Sequence, residues 1–226
     1  MLAAGLGHSI LGRAQATGTV RFGFSNPRDF TYDRHQKVDD TPFGGEPGML
    51  IKAEPVSLAL RALAPDREAA IILTDPAGIP FTQQHAAELS KRTQLVFLCG
   101  HYEGFDHRVK TELSTHAFSI GDYVLTNGEI AALVMVDAIV RLLPGVLGNA
   151  DSLAADCHSD GLLSAPNYTR PERWEEASVP EVLRSGNHGM IQRWRREQSL
   201  RLTRDIRPDL LAQAKLEIAD LDVLSS

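Results

Sequence analysis

The sequence predicts an α/β fold with a parallel sheet, followed by a small all-helical domain, and three observations carry that reading. Apolar runs of strand length alternate with helical patterns through residue 148. Two of those runs, Ala69–Thr74 and Leu95–Cys99, are continuous rather than alternating, as in parallel strands covered on both faces. Beyond Ala165 no strand signal stands out and the pattern turns helical.

In chain order, the opening MLAAGLGHSILGRA lacks a basic n-region and a long apolar run, so no signal peptide is expected. Thr19–Phe24 alternates with period two and reads as a strand. Pro55–Leu63 reads as a helix with Pro55 in its first turn, and Gln83–Lys91 as the helix between the two continuous strands. Tyr123–Leu125 reads as a further strand. Glu129–Leu143 carries apolar residues on most faces, as a buried helix does, and stops at Pro144 and Gly145. Residues 149–164 are small and polar without a period, a linker. Ser178-Val-Pro-Glu181 has capping-box spacing and opens a helix ending near Gly186. A second helix is expected from His188 to Arg204, and a third from Pro208 to Leu221. The domains expected are therefore 1–148, a linker over 149–164, and 165–226.

Composition excludes several classes. A chain of 226 residues, 43% hydrophobic and 23% charged, can bury a core without disulfides or structural metal. The longest apolar stretch, Ile130–Leu143, is broken by Asp137 and Arg141, so no membrane span is expected. Two cysteines, Cys99 and Cys157, form no CxxC, which leaves a reducing cytoplasm as the expected location. No GxGxxG follows a strand, no GK[ST] follows Gly44–Gly48, and the histidines lack metal-ligand spacing. The net charge of −6 disfavours nucleic acid on its face. It divides into −6 for residues 1–164 (13 basic, 19 acidic) and 0 for 165–226 (10 basic, 10 acidic). From Arg184 to Arg207, seven arginines face two acids, 7 − 2 = +5; alone, such a run reads as a solvated helix face.

Glycines gather after the expected strands, in Asp75-Pro-Ala-Gly78, in Gly100-His-Tyr-Glu-Gly104 and in Ser119–Glu129. Ligands of open α/β sheets bind outside the carboxyl ends of the strands, where glycine permits close backbone approach.

With Asn26-Pro-Arg-Asp-Phe30, Val38-Asp-Asp40, Gly44–Met49, Cys99–Gly104, Ser119–Thr126, Pro144–Gly148, Asp160–Leu163 and Tyr168–Glu172 in this order, the chain resembles the bacterial tRNA (guanine-37-N1)-methyltransferases of the SPOUT superfamily. The resemblance implies a SPOUT-type parallel sheet with a C-terminal trefoil knot, an exception to the rule against threaded chains. It implies S-adenosylmethionine as cofactor, magnesium dependence, a homodimer with active sites at the subunit interface, and helices that hold the tRNA anticodon stem-loop. The cofactor residues map onto Pro76, Gly100, Tyr102, Glu103, Ile120, Gly121, Tyr123, Leu125 and Gly128. Those for the substrate map onto Gly45, Asp160, Ser164, Arg193 and Arg196. Guanine N1 must lose its proton before it attacks a sulfonium methyl, which calls for a carboxylate base. The charge that then develops on O6 calls for a fixed cation. By position in the family pattern these are Asp156 and Arg141.

The sequence departs from that pattern in four ways. The family's opening strand and Leu-Phe-Pro segment are not found before the first matching stretch, Glu46 replaces a glycine, and Ser164 stands where an Asp is usual. Around the cofactor loops, His101 replaces an Arg, Asn127 a Gly and Ala131 a Pro. Two other readings keep the ancestry and change the activity: a tRNA-binding homolog with impaired catalysis, or a SPOUT methyltransferase acting on another RNA.

Overall fold

In a computed structural model, residues 2–148, 156–158 and 160–225 are described, and the chain divides into two compact units, Met1–Gly148 and Asn149–Ser226. The first unit opens with helices α1 (Leu2–Leu6) and α2 (Ser9–Ala16). Two short strands, β1 (Asp39–Asp40) and β2 (Leu50–Ile51), pair antiparallel ahead of helix α3 (Ala53–Leu63). The main sheet comprises β3 (Ala70–Pro80), β4 (Leu95–Leu98) and β5 (His116–Ser119), all parallel in the order β4-β3-β5. Helix α4 (Gln83–Leu89) joins β3 to β4, and α5 (Gly128–Val140) follows β5.

Successive side chains of a strand point to opposite faces, so a strand covered on both sides needs apolar residues without a break. β3 meets that need. Ala70 and Ile72 join a core with Ala86 and Leu89 of α4 and Met135 and Ile139 of α5. Leu73 points the other way, into a cluster with Ile51, Val56 and Val109. α5 is likewise apolar on two sides because it has two neighbours: Met135 and Ile139 face the sheet, while Val140, with Leu133 and Val136, packs on Leu6 and Leu11. The approach of α1 is close enough that a Cβ at Gly5 would stand 2.6 Å from Leu133 Cδ2.

Two strand expectations are corrected. Thr19–Phe24 forms no strand. Val20 and Phe22 do pack on the α1–α2–α5 cluster, so the alternation is real, but it reports an extended segment lying on a core rather than a hydrogen-bonded ladder. The third strand is His116–Ser119, not Tyr123–Leu125. After Ser119 a tight turn, with Tyr123 N–H donating to Gly121 O at 2.9 Å, takes the backbone out of the sheet.

The second unit holds α6 (Glu181–Arg184), α7 (His188–Ile206), α8 (Pro208–Leu211) and α9 (Ile218–Ser225). It also has a small antiparallel pair, β6 (Arg173–Trp174) with β7 (Ala177–Ser178), so this region is not strand-free. Ser178 pairs with Arg173 there, which removes it from the expected capping box; Pro180 precedes α6 without a side-chain cap. The expected third helix is two, separated by residues 212–217. Asp156–His158 and Asp160–Ser164 are the described part of the expected linker; 149–155 and 159 lie outside the described residues. Its final stretch is anchored on α7: Leu163 N–H donates to Thr203 Oγ1 at 2.9 Å, Ser199 Oγ donates to Leu163 O, and Leu162 is fully buried.

The second unit is tied by Arg196, which donates to Asp220 at 2.7 and 3.0 Å and to Asp160 at 2.9 Å. Asp220 is only 4% exposed. Hydrogen bonds from Arg196 hold its carboxyl below the usual range against the opposing effect of burial, helped by the Glu217 N–H. A carboxylate depressed in the folded state stabilises above its unfolded pKa of about 3.9, and the contribution fades as pH falls through the lower folded value. Asp220→Asn should therefore cost roughly 1–3 kcal/mol at pH 7. The penalty should shrink once the pH drops below about 4. Urea denaturation at both pH values checks this, and an equal penalty at each would contradict it.

Candidate active site

Three connections leave the carboxyl ends of the parallel strands. In the first, residues 75–78 bulge out of β3, so that Thr74 and Ile79 both pair with Phe118. Only glycine fits at 78, since a Cβ would stand 2.7 Å from the backbone of Ala117 and Phe118. Lys110 Nζ holds the bulge through Asp75 Oδ2 at 2.7 Å and leaves Pro76 exposed. In the second, Gly104 N–H closes a turn on His101 O at 3.0 Å with Tyr102 in the left-handed region at φ +59°. That conformation is costly for a residue with a Cβ and clusters at functional sites. Glu103 N–H donates to Met49 O, and the Glu103 side chain lies over Gly48, where a Cβ would come within 2.5 Å of its Cγ. The third connection is built on Ser119, whose Oγ donates to Gly121 O at 2.9 Å. Ile120 and Leu125 rest on the core beneath it, while Tyr123 and Val124 are exposed.

The second and third connections cross. Gly128 N–H donates to Gly100 O at 2.8 Å, and His101 bridges Asn127 in antiparallel register. A Cβ at residue 128 would stand 2.1 Å from Thr74 Oγ1 and 2.8 Å from Gly100 N, so all three connections meet at this glycine. His101 Nε2 lies 2.9 Å from Glu129 Oε1. Asn127 Oδ1 and Glu129 Oε2 are buried without a hydrogen-bond partner. A buried acceptor left unmet costs about 1–3 kcal/mol. Two of them beside one crossing mark a place where a donor-bearing ligand would be stabilised. Burial, and secondarily Glu129, push the Cys99 thiol up to about 12, so Cys99 is no nucleophile at neutral pH.

The structure thus brings Gly100, Gly128 and the Ile120–Leu125 loop together, with Pro76 on the adjoining bulge. Glu103 and Tyr102 sit at the edge of the same connection. Thr74 and Glu129 are members that sequence reasoning did not select, and Asn127 stood out there only as a replacement for glycine. One signal was available for Glu129: an acid in the first turn of a helix whose one other charged residue is Asp137. Gly45 is exposed at φ +79° in the loop between β1 and β2, where Glu46 is also exposed. Arg141 ends α5 and is half-buried; Asp156 is half-buried in the second unit. Ser164 follows the anchored Leu163.

The arginine run is largely compensated within its own unit. Arg184 pairs with Glu172, Arg201 with Glu197, Arg204 with Asp205 and Arg207 with Asp209. Arg196 is engaged by Asp160 and Asp220. Among the described residues, Arg193 and Arg195 are the members of the run that carry no ion pair, and both are exposed on α7. Also among the described residues, no three His, Cys, Asp or Glu side chains gather as a metal centre, so the magnesium implied by the resemblance has no assigned ligands. No helix among them is long and apolar enough to cross a membrane.

The chain matches the profile of the tRNA (guanine-1)-methyltransferase TrmD family over residues 1–213. It is 51% identical over 221 residues to the tRNA (guanine-N(1)-)-methyltransferase of Staphylococcus epidermidis, covering 98% of this chain and 90% of that protein. The protein of the same name from Frankia alni is 51% identical over 221 residues, with 96% and 84% covered. That from Staphylococcus aureus is 50% identical over 219 residues, with 97% and 89% covered.

The crossing at Gly128 makes a sharp expectation. Gly128→Ala drives a methyl group into Thr74 and Gly100 and should cost about 1–3 kcal/mol, more if the loops separate. Gly23→Ala, where a Cβ meets nothing within 4 Å, should change stability by less than about 0.5 kcal/mol. Thermal denaturation of the two variants side by side decides it; equal midpoints would remove the crossing as a constraint.

Proposed function

The chain belongs to the tRNA (guanine-1)-methyltransferase family, and we propose that it transfers a methyl group from S-adenosylmethionine to N1 of guanosine 37, next to the tRNA anticodon. The observation that carries the reading is the Gly100–Gly128 crossing with its two unmet acceptors, Asn127 Oδ1 and Glu129 Oε2. They fit a ligand with a nucleoside and a cationic amino-acid tail. Bound there, S-adenosylmethionine supplies an electrophilic methyl group on a sulfonium sulfur.

The chain's own residues then have defined tasks. Ile120 and Leu125 offer an apolar slot for adenine, with loop backbone at its polar edge. Glu129 Oε2 accepts from the ammonium, and His101 holds the other carboxylate oxygen. Glu103 adds negative charge at the rim, and Pro76, Gly121 and Tyr123 close the loops around the cofactor. Asp156 takes the N1 proton, which makes N1 nucleophilic. Arg141 opposes the charge that develops on O6. Arg193 meets phosphates of the anticodon stem; such contacts position RNA without reading its sequence. Arg196 and Asp160 hold the 160–163 turn against α7 and reach RNA by exchanging partners there. Gly45 and Ser164 lie in loops offered to the target guanosine, which is read after it is splayed out of the stack.

The same reading includes a SPOUT trefoil knot formed where the connections cross, a helical tRNA-binding domain, and a homodimer with shared active sites working in the cytoplasm. The dimer is supported by Ile130 and Val134, 40% and 48% exposed one turn apart on a helix otherwise buried on two sides.

Asp156→Ala should retain cofactor binding while single-turnover methylation of a tRNA carrying guanosines at 36 and 37 falls roughly 10²–10⁴-fold. Wild-type rates in that variant would eliminate Asp156 as the base. A product nucleoside other than 1-methylguanosine, read by mass spectrometry, would eliminate the target.

A further inference from the structure

A cavity of about 400 Å³ lies between α4 and β5, lined by residues to which the methyl-transfer reading gives no task. Leu89 and Phe118 form its apolar floor and are almost fully buried. Two imidazoles flank that floor: His116 stacks on Phe118 at 5.5 Å and 21°, and His85 sits 4.9 Å from the same ring at 50°. Lys91 and Arg92 stand at the rim, together with one acid, Glu88.

Apart from Glu88, the polar groups present donors around that covered floor. His85 Nδ1 accepts from Thr82 N–H at 3.1 Å, so the neutral ring carries its proton on Nε2, a donor. Arg92 uses Nη1 on Glu68, an exposed pair that contributes little and leaves further N–H groups of the guanidinium available. Lys91 carries no ion pair among the described residues. The His116 ring is held below its ordinary pKa by burial first, then by Arg92 and His85, with Glu88 opposing; the cavity is electropositive even around its neutral imidazole. Glu88 Oε1 accepts from Gln84 Nε2 at 3.1 Å, and its second oxygen is a further acceptor. Its size lies within the range of sites for small ligands.

We propose that this cavity is a second binding site whose ligand is a nucleoside 5′-monophosphate unit, either a free nucleotide or one residue of a single-stranded RNA. The base lies against the His116 and His85 imidazoles, which cover the buried Phe118 ring, its exocyclic amino group donates to Glu88, and the phosphate is held by Lys91 and Arg92. Stacking combined with a cation at the phosphate is the chemistry by which single nucleotides are held without sequence reading. The site lies beside α4 rather than on the glycine connections, so it stands or falls independently of the methyl-transfer reading.

Histidine ring-proton NMR on the full chain, saturated with S-adenosylhomocysteine to occupy the cofactor loops, tests it. The probes are cytidine 5′-monophosphate, ribose 5-phosphate and an unstructured oligocytidine; His116→Phe identifies the His116 signal. Cytidine monophosphate or the oligonucleotide should move that signal saturably, and Arg92→Ala should weaken the effect roughly tenfold. Saturation by the oligonucleotide at lower nucleotide concentration assigns RNA as the source; saturation by the mononucleotide alone assigns the free nucleotide. The proposal is overturned if neither moves His116 at millimolar concentration, if ribose 5-phosphate binds as well as the nucleotide, or if Arg92→Ala leaves the affinity unchanged. Methylation by Arg92→Ala, measured alongside, separates failure of this site from failure of the reaction.

Discussion

Everything distinctive about the first unit depends on a contact with no room in it. Gly128 N–H meets Gly100 O at 2.8 Å, and the space where a side chain would begin belongs to Thr74 Oγ1 and the Gly100 amide. Thr74 is itself fixed, because its hydroxyl donates to Leu98 O at the end of the neighbouring strand. The ends of β3 and β4 and the start of α5 are thus locked to one another by backbone and one hydroxyl. That lock sets where α5 begins, and α5 in turn carries both the sheet core and the α1–α2 core on its two apolar sides. Helix placement here follows from a loop crossing as much as from hydrophobic burial.

The lock also concentrates polar cost at one point. Placing Asn127 and Glu129 at the crossing buries two acceptors that the protein leaves unmet, while His101 satisfies only one oxygen of Glu129. A core selected for stability alone would not retain them. The electrostatics of the second unit run the other way. There the arginines are given partners, several of them from outside the run itself: Glu172, Asp160, Asp220 and Asp209. The +5 stretch is therefore mainly scaffold, and among the described residues what remains of it for an external anion is Arg193 and Arg195, which leave α7 in different directions. Counting charge along the chain overstates a surface whenever the compensating acids are distant in sequence but near in space.

How far the sequence foretold this can be argued from individual segments. Ile71, Ile72 and Leu73 announce a strand buried on two faces because both faces are in fact covered. Thr19–Phe24 announces a strand and delivers only an extended segment, since alternation encodes which side is buried and not whether a ladder partner exists. His116–Ser119 escapes notice because four residues beginning with His have too little apolar pattern. The three glycine connections were legible as a group through their position after strands. Their crossing was not, because nothing local in Gly100 or Gly128 specifies the other; the constraint joins residues 28 apart and exists only in the assembled chain. The unmet acceptors of Asn127 and Glu129 were illegible for the same reason: their burial is imposed by the crossing.

The glycines of this region differ in why they are required, and the difference bears on function. Gly78 is pressed against the backbone of Ala117 and Phe118, and Gly128 against Gly100, so both are fixed by contacts within the protein. Gly104 and Gly45 have open space where a Cβ would be, and are needed only for their positive φ of +100° and +79°. The first kind keeps a rigid cradle that exists before any ligand arrives; the second shapes exposed turns that can adapt. A site that combines the two can hold a small cofactor in a preformed place and still adjust its outer loops to a large, flexible substrate. The family assignment supplies the need for both, a methyl donor and a tRNA. Under the proposed reading, the distribution of glycine contacts divides that work between cofactor and substrate.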